Sequence, residues 1–250
     1  MTQTTTDTQR RELTGKTALV TGATSGIGRA IALLLASQGA EVLVHGRNAA
    51  RAEQVIEEIE LSGGSARFIA ADLSDPAAAV QLAADAGEVD ILINNAGFSW
   101  FGASADLDAE TLDNLFASNV QSAFLLTAAL APAMAARGEG TIINLSSMAG
   151  IIGLAGGAAY GATKAAMSSF TQAWAAEYSP RGVRVNAVAP GPVHTGGADA
   201  ANTEALGKTT LLGRAAQANE IAEVVGFLVS ARASYVTGAI IAVDGGRTAI

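Results

Sequence analysis

The stretch that most restricts this chain is Lys16-Thr17-Ala18-Leu19-Val20 followed by Thr21-Gly22-Ala23-Thr24-Ser25-Gly26-Ile27-Gly28. A short apolar run ends in a glycine-rich turn, and beyond it Ile27, Ile31, Leu34 and Leu35 recur at helical spacing up to Gly39. Strand, tight turn and amphipathic helix in succession open a βαβ unit. Gly22, Gly26 and Gly28 let the backbone take tight or positive-φ geometry, so amide groups can approach an anion at the helix N-terminus, where the helix dipole also favours negative charge. A pyrophosphate fits that chemistry, and Thr24, Ser25 and Ile27 share its loop.

The alternation continues. Glu41 to Val44 reads as a second strand leaving through His45-Gly46-Arg47-Asn48, and a helix with Val55, Ile56 and Ile59 on one face closes at Gly63-Gly64. Ala66 to Ala71 is a third strand running into Asp72-Leu73, and Ser74-Asp75-Pro76 supplies a cap and a helix-starting proline. Val89 to Ile93 ends in Asn94-Asn95-Ala96-Gly97, Gly140 to Leu145 in Ser146-Ser147, and Arg184 to Ala189 in Pro190-Gly191-Pro192-Val193-His194-Thr195. Ala239 to Val243 closes the series. Seven strands alternating with about six helices predict an α/β chain, a single-domain Rossmann fold with a doubly wound seven-stranded parallel sheet flanked by helices on both faces. Its strand ends collect every polar motif on one edge.

With 250 residues there is space for one large domain, taken as residues 13–250 behind a disordered N-terminal tail at 1–12. Residues 196–212 are small, polar and weakly periodic, as a substrate lid would be. A net charge of −8 gives no footprint for nucleic acid or an anionic membrane, so neither is expected as a partner. There is no cysteine, and two histidines cannot build a His-rich centre, so no metal site is expected. The longest apolar run, around Ala123 to Ala136, contains Thr127 and Pro132 and looks too short to span a bilayer. A soluble, cytoplasmic protein is expected.

Tyr160 and Lys164 stand at i and i+4, one above the other on a helix face. A phenol ordinarily titrates near about pH 10, and an adjacent ammonium favours the phenolate, which would bring Tyr160 into range as a general acid or base. Ser147 arrives at the same edge from the fifth strand. Asn119 falls within the apolar periodicity of a long helix, either as a satisfied structural amide or as part of a polar relay. After the second strand an acid would bind a ribose 2′-hydroxyl and a cation would accommodate a 2′-phosphate; Gly46-Arg47 offers only the cation, which favours NADP(H) with NAD(H) possible.

These residues resemble the short-chain dehydrogenase/reductase family from about Leu13 to Gly246. The Thr-Gly-x-x-x-Gly-x-Gly turn at Thr21 to Gly28, Asn-Asn-Ala-Gly at Asn94 to Gly97, Asn119, Ser147, Tyr160-x-x-x-Lys164 and the Pro-Gly turn at Pro190 occur in the family's order. The resemblance implies that Tyr160 is the acid in carbonyl reduction and that Ser147 bonds the substrate oxygen. Lys164 would hold the nicotinamide ribose and depress the Tyr160 pKa, and Asn119 would bind a water linking Lys164 to solvent. It further implies that Asp72, with Leu73, meets the adenine, Asn95, Ala96 and Gly97 line the adenosine ribose, and Pro190, Gly191, Val193 and Thr195 serve the nicotinamide end, beside Arg47 and Asn48.

NADP-using members often carry a base in the glycine turn, where this chain has Ser25, so Arg47 stands alone for that preference. The nearest likeness is to 3-oxoacyl-acyl-carrier-protein reductase-like and gluconate dehydrogenase-like members, although an acidic chain suits an acyl-carrier partner poorly. Trp100, Phe101, Met148, Leu154, Pro192 and His194 follow strand ends and would line an apolar pocket for a hydrophobic ketone or secondary alcohol. The expected activity is NADPH-dependent, reversible ketone reduction on a small molecule, in a homotetramer. Alternatives are an NAD-dependent alcohol or sugar dehydrogenase and a catalytically silent nucleotide-binding sensor.

Overall fold

The computed structural model describes residues 12–196 and 200–250, so the expected tail lies outside it except for Glu12, as do 197–199 of the expected lid. Glu12 pairs with Arg232, and the Leu13 amide donates to the Gln38 carbonyl, so the described chain is anchored from its first residues.

Strand β1 (Thr17–Val20) leads through the glycine turn into α1 (Gly26–Ser37), then β2 (Glu41–Gly46), α2 (Ala49–Leu61), β3 (Ser65–Ala70), α3 (Pro76–Ala86) and β4 (Ile91–Asn94). Beyond these come α4 (Ala109–Phe116), α5 (Ser122–Arg137), β5 (Gly140–Leu145), α6 (Ala158–Tyr178) and β6 (Val183–Pro190). A ribbon of β7 (Val193–His194) and β8 (Ala216–Gln217) brackets α7 (Ala200–Gly207), and α8 (Ala218–Val229) and β9 (Ile240–Val243) complete the chain. The sheet has seven strands, all parallel, ordered β3-β2-β1-β4-β5-β6-β9. Its order reverses between β1 and β4, which opens a crevice at their carboxyl ends.

Apolar faces fix the layers. Ile31, Val55, Ile59, Ile221 and Val225 bring α1, α2 and α8 onto one side, while Leu82, Leu126, Leu130, Met134 and Trp174 bring α3, α5 and α6 onto the other. Each fully buried Leu or Ile contributes about 1.5–3 kcal/mol. Strand β5 is buried along its whole length, as a central parallel strand must be. It nevertheless carries Asn144, whose amide is satisfied sideways: Asn94 Nδ2 donates to Asn144 Oδ1 (2.9 Å) and Thr127 Oγ1 (3.2 Å), and Asn144 Nδ2 to Thr171 Oγ1 (2.8 Å). This internal polar line ties β4 and β5 to α5 and α6.

Three elements differ from the sequence reading. The lid region contains α7, a helix whose short length and mixed faces give little periodicity. The β7–β8 ribbon pairs only two residues on each side, Val193 with Ala216 and His194 with Gln217, too few to leave a sequence pattern. Finally, α4 and α5 are joined by a π-helical turn, Ala117–Gln121, into a helix of 29 residues, Ala109–Arg137, long and apolar enough by length and composition to cross a membrane. That corrects the expectation drawn from Ala123 to Ala136 alone. Leu126, Leu130 and Met134 are buried against the sheet, the packing of a core helix.

Candidate active site

The glycine turn is locked to its neighbours by side chains at the switch point. Thr21 Oγ1 donates to the Ile93 carbonyl (3.0 Å) and accepts from the amides of Asn95 and Ala96 (2.9 Å each). Asn95 Nδ2 donates back to the carbonyls of Thr21 (2.8 Å) and Gly22 (3.3 Å), so this amide braces the turn. Gly22 and Gly26 have φ of 65° and 55°, and a Cβ on Gly28 would lie 2.3 Å from the Gly22 carbonyl oxygen. Ser25 caps α1 without a side-chain hydrogen bond, which leaves the first-turn amides directed outward, and Thr195 packs against Gly26. A pyrophosphate fits such a cradle.

His45 is a site residue that sequence reasoning passed over. Its Nδ1 accepts the Gly22 amide (3.1 Å), and its Nε2 faces the Ala71 carbonyl (3.2 Å), an arrangement that requires the neutral ring protonated on Nε2. Burial pushes its pKa down to about 4. The only sequence signal was a histidine at the end of an otherwise apolar strand.

At the exit of β2, Arg47 Nη1 lies 3.8 Å from Asp72 Oδ2, both side chains being largely exposed. Asp72 also accepts from the Ser74 amide and hydroxyl, which, with Arg47, holds its carboxyl below the usual range. Asn48 caps α2 by accepting the Arg51 amide (2.9 Å), and Leu73 is a core side chain. Both are structural through their side chains, so a cofactor would meet them through their backbone. Gly97 is exposed, and Ala96 is half-buried beside Gly22.

Strand β5 delivers Ser147 in extended conformation, its Oγ accepting the Ala149 amide (3.1 Å), and α6 places Tyr160 in its first turn and Lys164 one turn on. The Tyr160 phenol lies close enough to Ser147 for the hydroxyl to favour its ionised form. Lys164 Nζ sits 5.7 Å from the Tyr160 ring centroid and donates to the Leu145 carbonyl (2.8 Å). Ser146 Oγ donates to the Lys164 carbonyl (2.9 Å) and pairs with Ser168 Oγ, pinning α6 to β5. Burial pushes Tyr160 above its ordinary pKa, against the lowering effect of Ser147, and pushes Lys164 down to about 8. The direction is the opposite of the depression expected from the ammonium, because desolvation of the phenol dominates.

Asn119 lies in the π-helical turn, buried, with Oδ1 accepting the Phe98 amide (2.9 Å) and Nδ2 donating to the Phe98 carbonyl (2.8 Å) and Thr163 Oγ1 (3.1 Å). Thr163 Oγ1 in turn donates to the Tyr160 carbonyl (2.7 Å). Of the two open readings, the side chain takes the structural one.

The expected substrate wall is only partly assembled. Phe101 lies against Tyr160 with ring centroids 5.6 Å apart, and Trp100 and Leu154 are half-buried close by. Met148 and Pro192 are buried, and the Pro192 carbonyl accepts the Ala216 amide. His194 approaches Glu204 (3.9 Å) and, with Thr195, Ser25, Arg29 and Arg51, lines a trench of about 880 Å³ along α1 between α2 and α8. Strand pairing with Gln217 dictates that placement. Pro190 ends β6, Gly191 packs on Asp244, and Val193 is buried. Among the described residues no group of three or more potential metal ligands occurs.

Comparison with known proteins agrees with this architecture. The family described as short chain dehydrogenase matches residues 16–205. Cyclopentanol dehydrogenase of Comamonas sp. (strain NCIMB 9872) is 40% identical over 243 residues, covering 94% of this chain and 97% of that protein. D-threitol dehydrogenase of Mycolicibacterium smegmatis is 38% identical over 245 residues, covering 94% of each. The solved structure of an angucycline C-6 ketoreductase with bound NADP superimposes with a TM-score of 0.87 at 35% identity, over 96% of this chain and 98% of that one. With the motifs, the sheet order and the strand-end site in agreement, the chain belongs to the short-chain dehydrogenase/reductase family of oxidoreductases.

Proposed function

We propose that this protein reduces a ketone to a secondary alcohol, reversibly, with NADPH. The observation that carries the reading is the convergence of Ser147, Tyr160 and Lys164 at one strand end, beside a glycine cradle with room for a pyrophosphate. When bound, the nicotinamide supplies or accepts the hydride. The Ser147 hydroxyl bonds the substrate oxygen, and Tyr160 Oη delivers the proton in reduction or removes it in oxidation. A phenol held above its ordinary pKa is protonated at neutral pH, the form that donates in reduction, and a neighbouring cation is needed to let that proton leave. Lys164, charged below about pH 8, stabilises negative charge forming on Tyr160 Oη. Arg47 receives the 2′-phosphate, and α7 with residues 208–212 covers the site.

The protein is further proposed to act in the cytoplasm as a homotetramer. An aromatic group on α5 and α6 supports the assembly: Phe124, 46% exposed, packs at 5.6 Å on Phe170 and 6.1 Å on Trp174. NAD-dependent oxidation of an alcohol or sugar is the second reading, favoured by the Arg47–Asp72 pair, which partly satisfies the cation a 2′-phosphate would need. A silent nucleotide sensor is disfavoured by the complete Ser147, Tyr160 and Lys164 set.

Mixing the protein with NADPH and a panel of ketones, and following nicotinamide absorbance, tests the reading. Turnover of one or more ketones is expected. Turnover only of alcohols with NAD would replace it with the second reading.

A further inference from the structure

We propose that Phe101 is a specificity-determining residue, its ring forming one wall of the approach to Tyr160 and favouring apolar, ring-bearing ketones and alcohols over open-chain polyols. Phe101 acts in this way only if Tyr160 is the proton donor, as proposed above. The two rings lie 5.6 Å apart at 55°, a tilted contact of favourable aromatic geometry. Yet Phe101 remains 54% exposed, so much of its surface is left for something else to cover.

The segment that carries Phe101 is held at both ends. Phe98 is clamped through its amide and carbonyl by Asn119, and the Gly102 amide donates to the Gly156 carbonyl (3.0 Å). Glycine suits both positions: a Cβ at Gly102 would lie 2.7 Å from the Trp100 ring, and one at Gly156, whose φ is +75°, would lie 3.2 Å from the Gly102 backbone. Two chain segments far apart in sequence therefore meet beside Tyr160 to fix one exposed aromatic ring. That ring offers no hydrogen-bond donor or strong acceptor. A polyol lying against it would lose water from its hydroxyls without replacement, whereas an apolar ring would gain burial and aromatic contact.

The test compares Phe101→Ala and Phe101→Leu with the native protein, measuring kcat/KM with NADPH for cyclohexanone and for the open-chain polyhydroxy ketone erythrulose. Phe101→Ala is expected to lower kcat/KM for cyclohexanone by about tenfold or more, mainly through KM, and to leave erythrulose within about threefold. Phe101→Leu keeps an apolar wall and should fall between, and the NADPH Kd should not move in either variant. Native turnover with a substrate ratio that the variants leave unchanged overturns the role of Phe101 and leaves Tyr160 standing. A native protein that reduces neither ketone and oxidises neither corresponding alcohol overturns the Tyr160 reading, and the role of Phe101 with it.

Discussion

Lys164 Nζ donates to the carbonyl oxygen of Leu145 at 2.8 Å, so the ammonium of α6 is held by the last residue of β5. It stands beneath the Tyr160 ring, in a setting where burial weakens its hold on a proton.

This burial has a consequence for stability. The Lys164 pKa in the folded protein is about 8, below its ordinary value of 10.5, so between those two pH values the unfolded chain binds more protons than the folded one. Stability relative to a Lys164→Met variant should therefore rise as pH increases from about 8 to 10.5 and be flat below that window. Thermal melts of both proteins across the range check the sign. Reductive turnover should fall over the lower part of the same window, as the charge on Lys164 is lost.

His45 predicts an effect at the acidic end. Its folded pKa of about 4 lies below the ordinary 6.5, so its contribution is complete above pH 6.5 and is lost as pH falls toward 4. Across that interval the linkage is worth about 3 kcal/mol. Denaturant titrations of His45→Ala should show a loss of about 2 kcal/mol at pH 7, because the Gly22 amide loses its acceptor, and a shallower slope below pH 6.5. A variant as stable as the native protein at both pH values would contradict this.

Arg47 should discriminate the cofactors. Fluorescence titration of Arg47→Ala is expected to show NADPH affinity weakened by about tenfold or more, with NADH affinity unchanged or slightly improved as Asp72 is released from its partner. Equal affinities for the two cofactors in the native protein would remove Arg47 from the account.

Much of this was legible in the sequence because parallel strands buried on both faces form nearly continuous apolar runs, and Thr21 to Gly28 and Ser146-Ser147 stand directly at their ends. What was hidden depends on contacts between distant segments. The identity of Asn119 showed that its amide needed partners, but only the fold shows that these are Phe98 and Thr163. His45 looked inert until β2 brought it beside Gly22. His194 was expected in an apolar pocket because it follows a strand-end motif; the two-residue pairing of β7 with β8, which left no sequence pattern, sets it along the trench beside α1. The spacing of Tyr160 and Lys164 gave their shared helix face correctly. It carried no information on burial, which sets the direction of both pKa shifts.

The central claim is that Tyr160 carries the proton. Tyr160→Phe keeps the ring that packs on Phe101 and removes only the hydroxyl, so the fold and the glycine cradle should persist. The most direct measurement is the turnover of a reducible ketone by this variant at saturating NADPH, paired with its NADPH Kd. A fall of about a hundredfold to ten-thousandfold in kcat with the Kd essentially unchanged is predicted; turnover equal to that of the native protein would contradict the account.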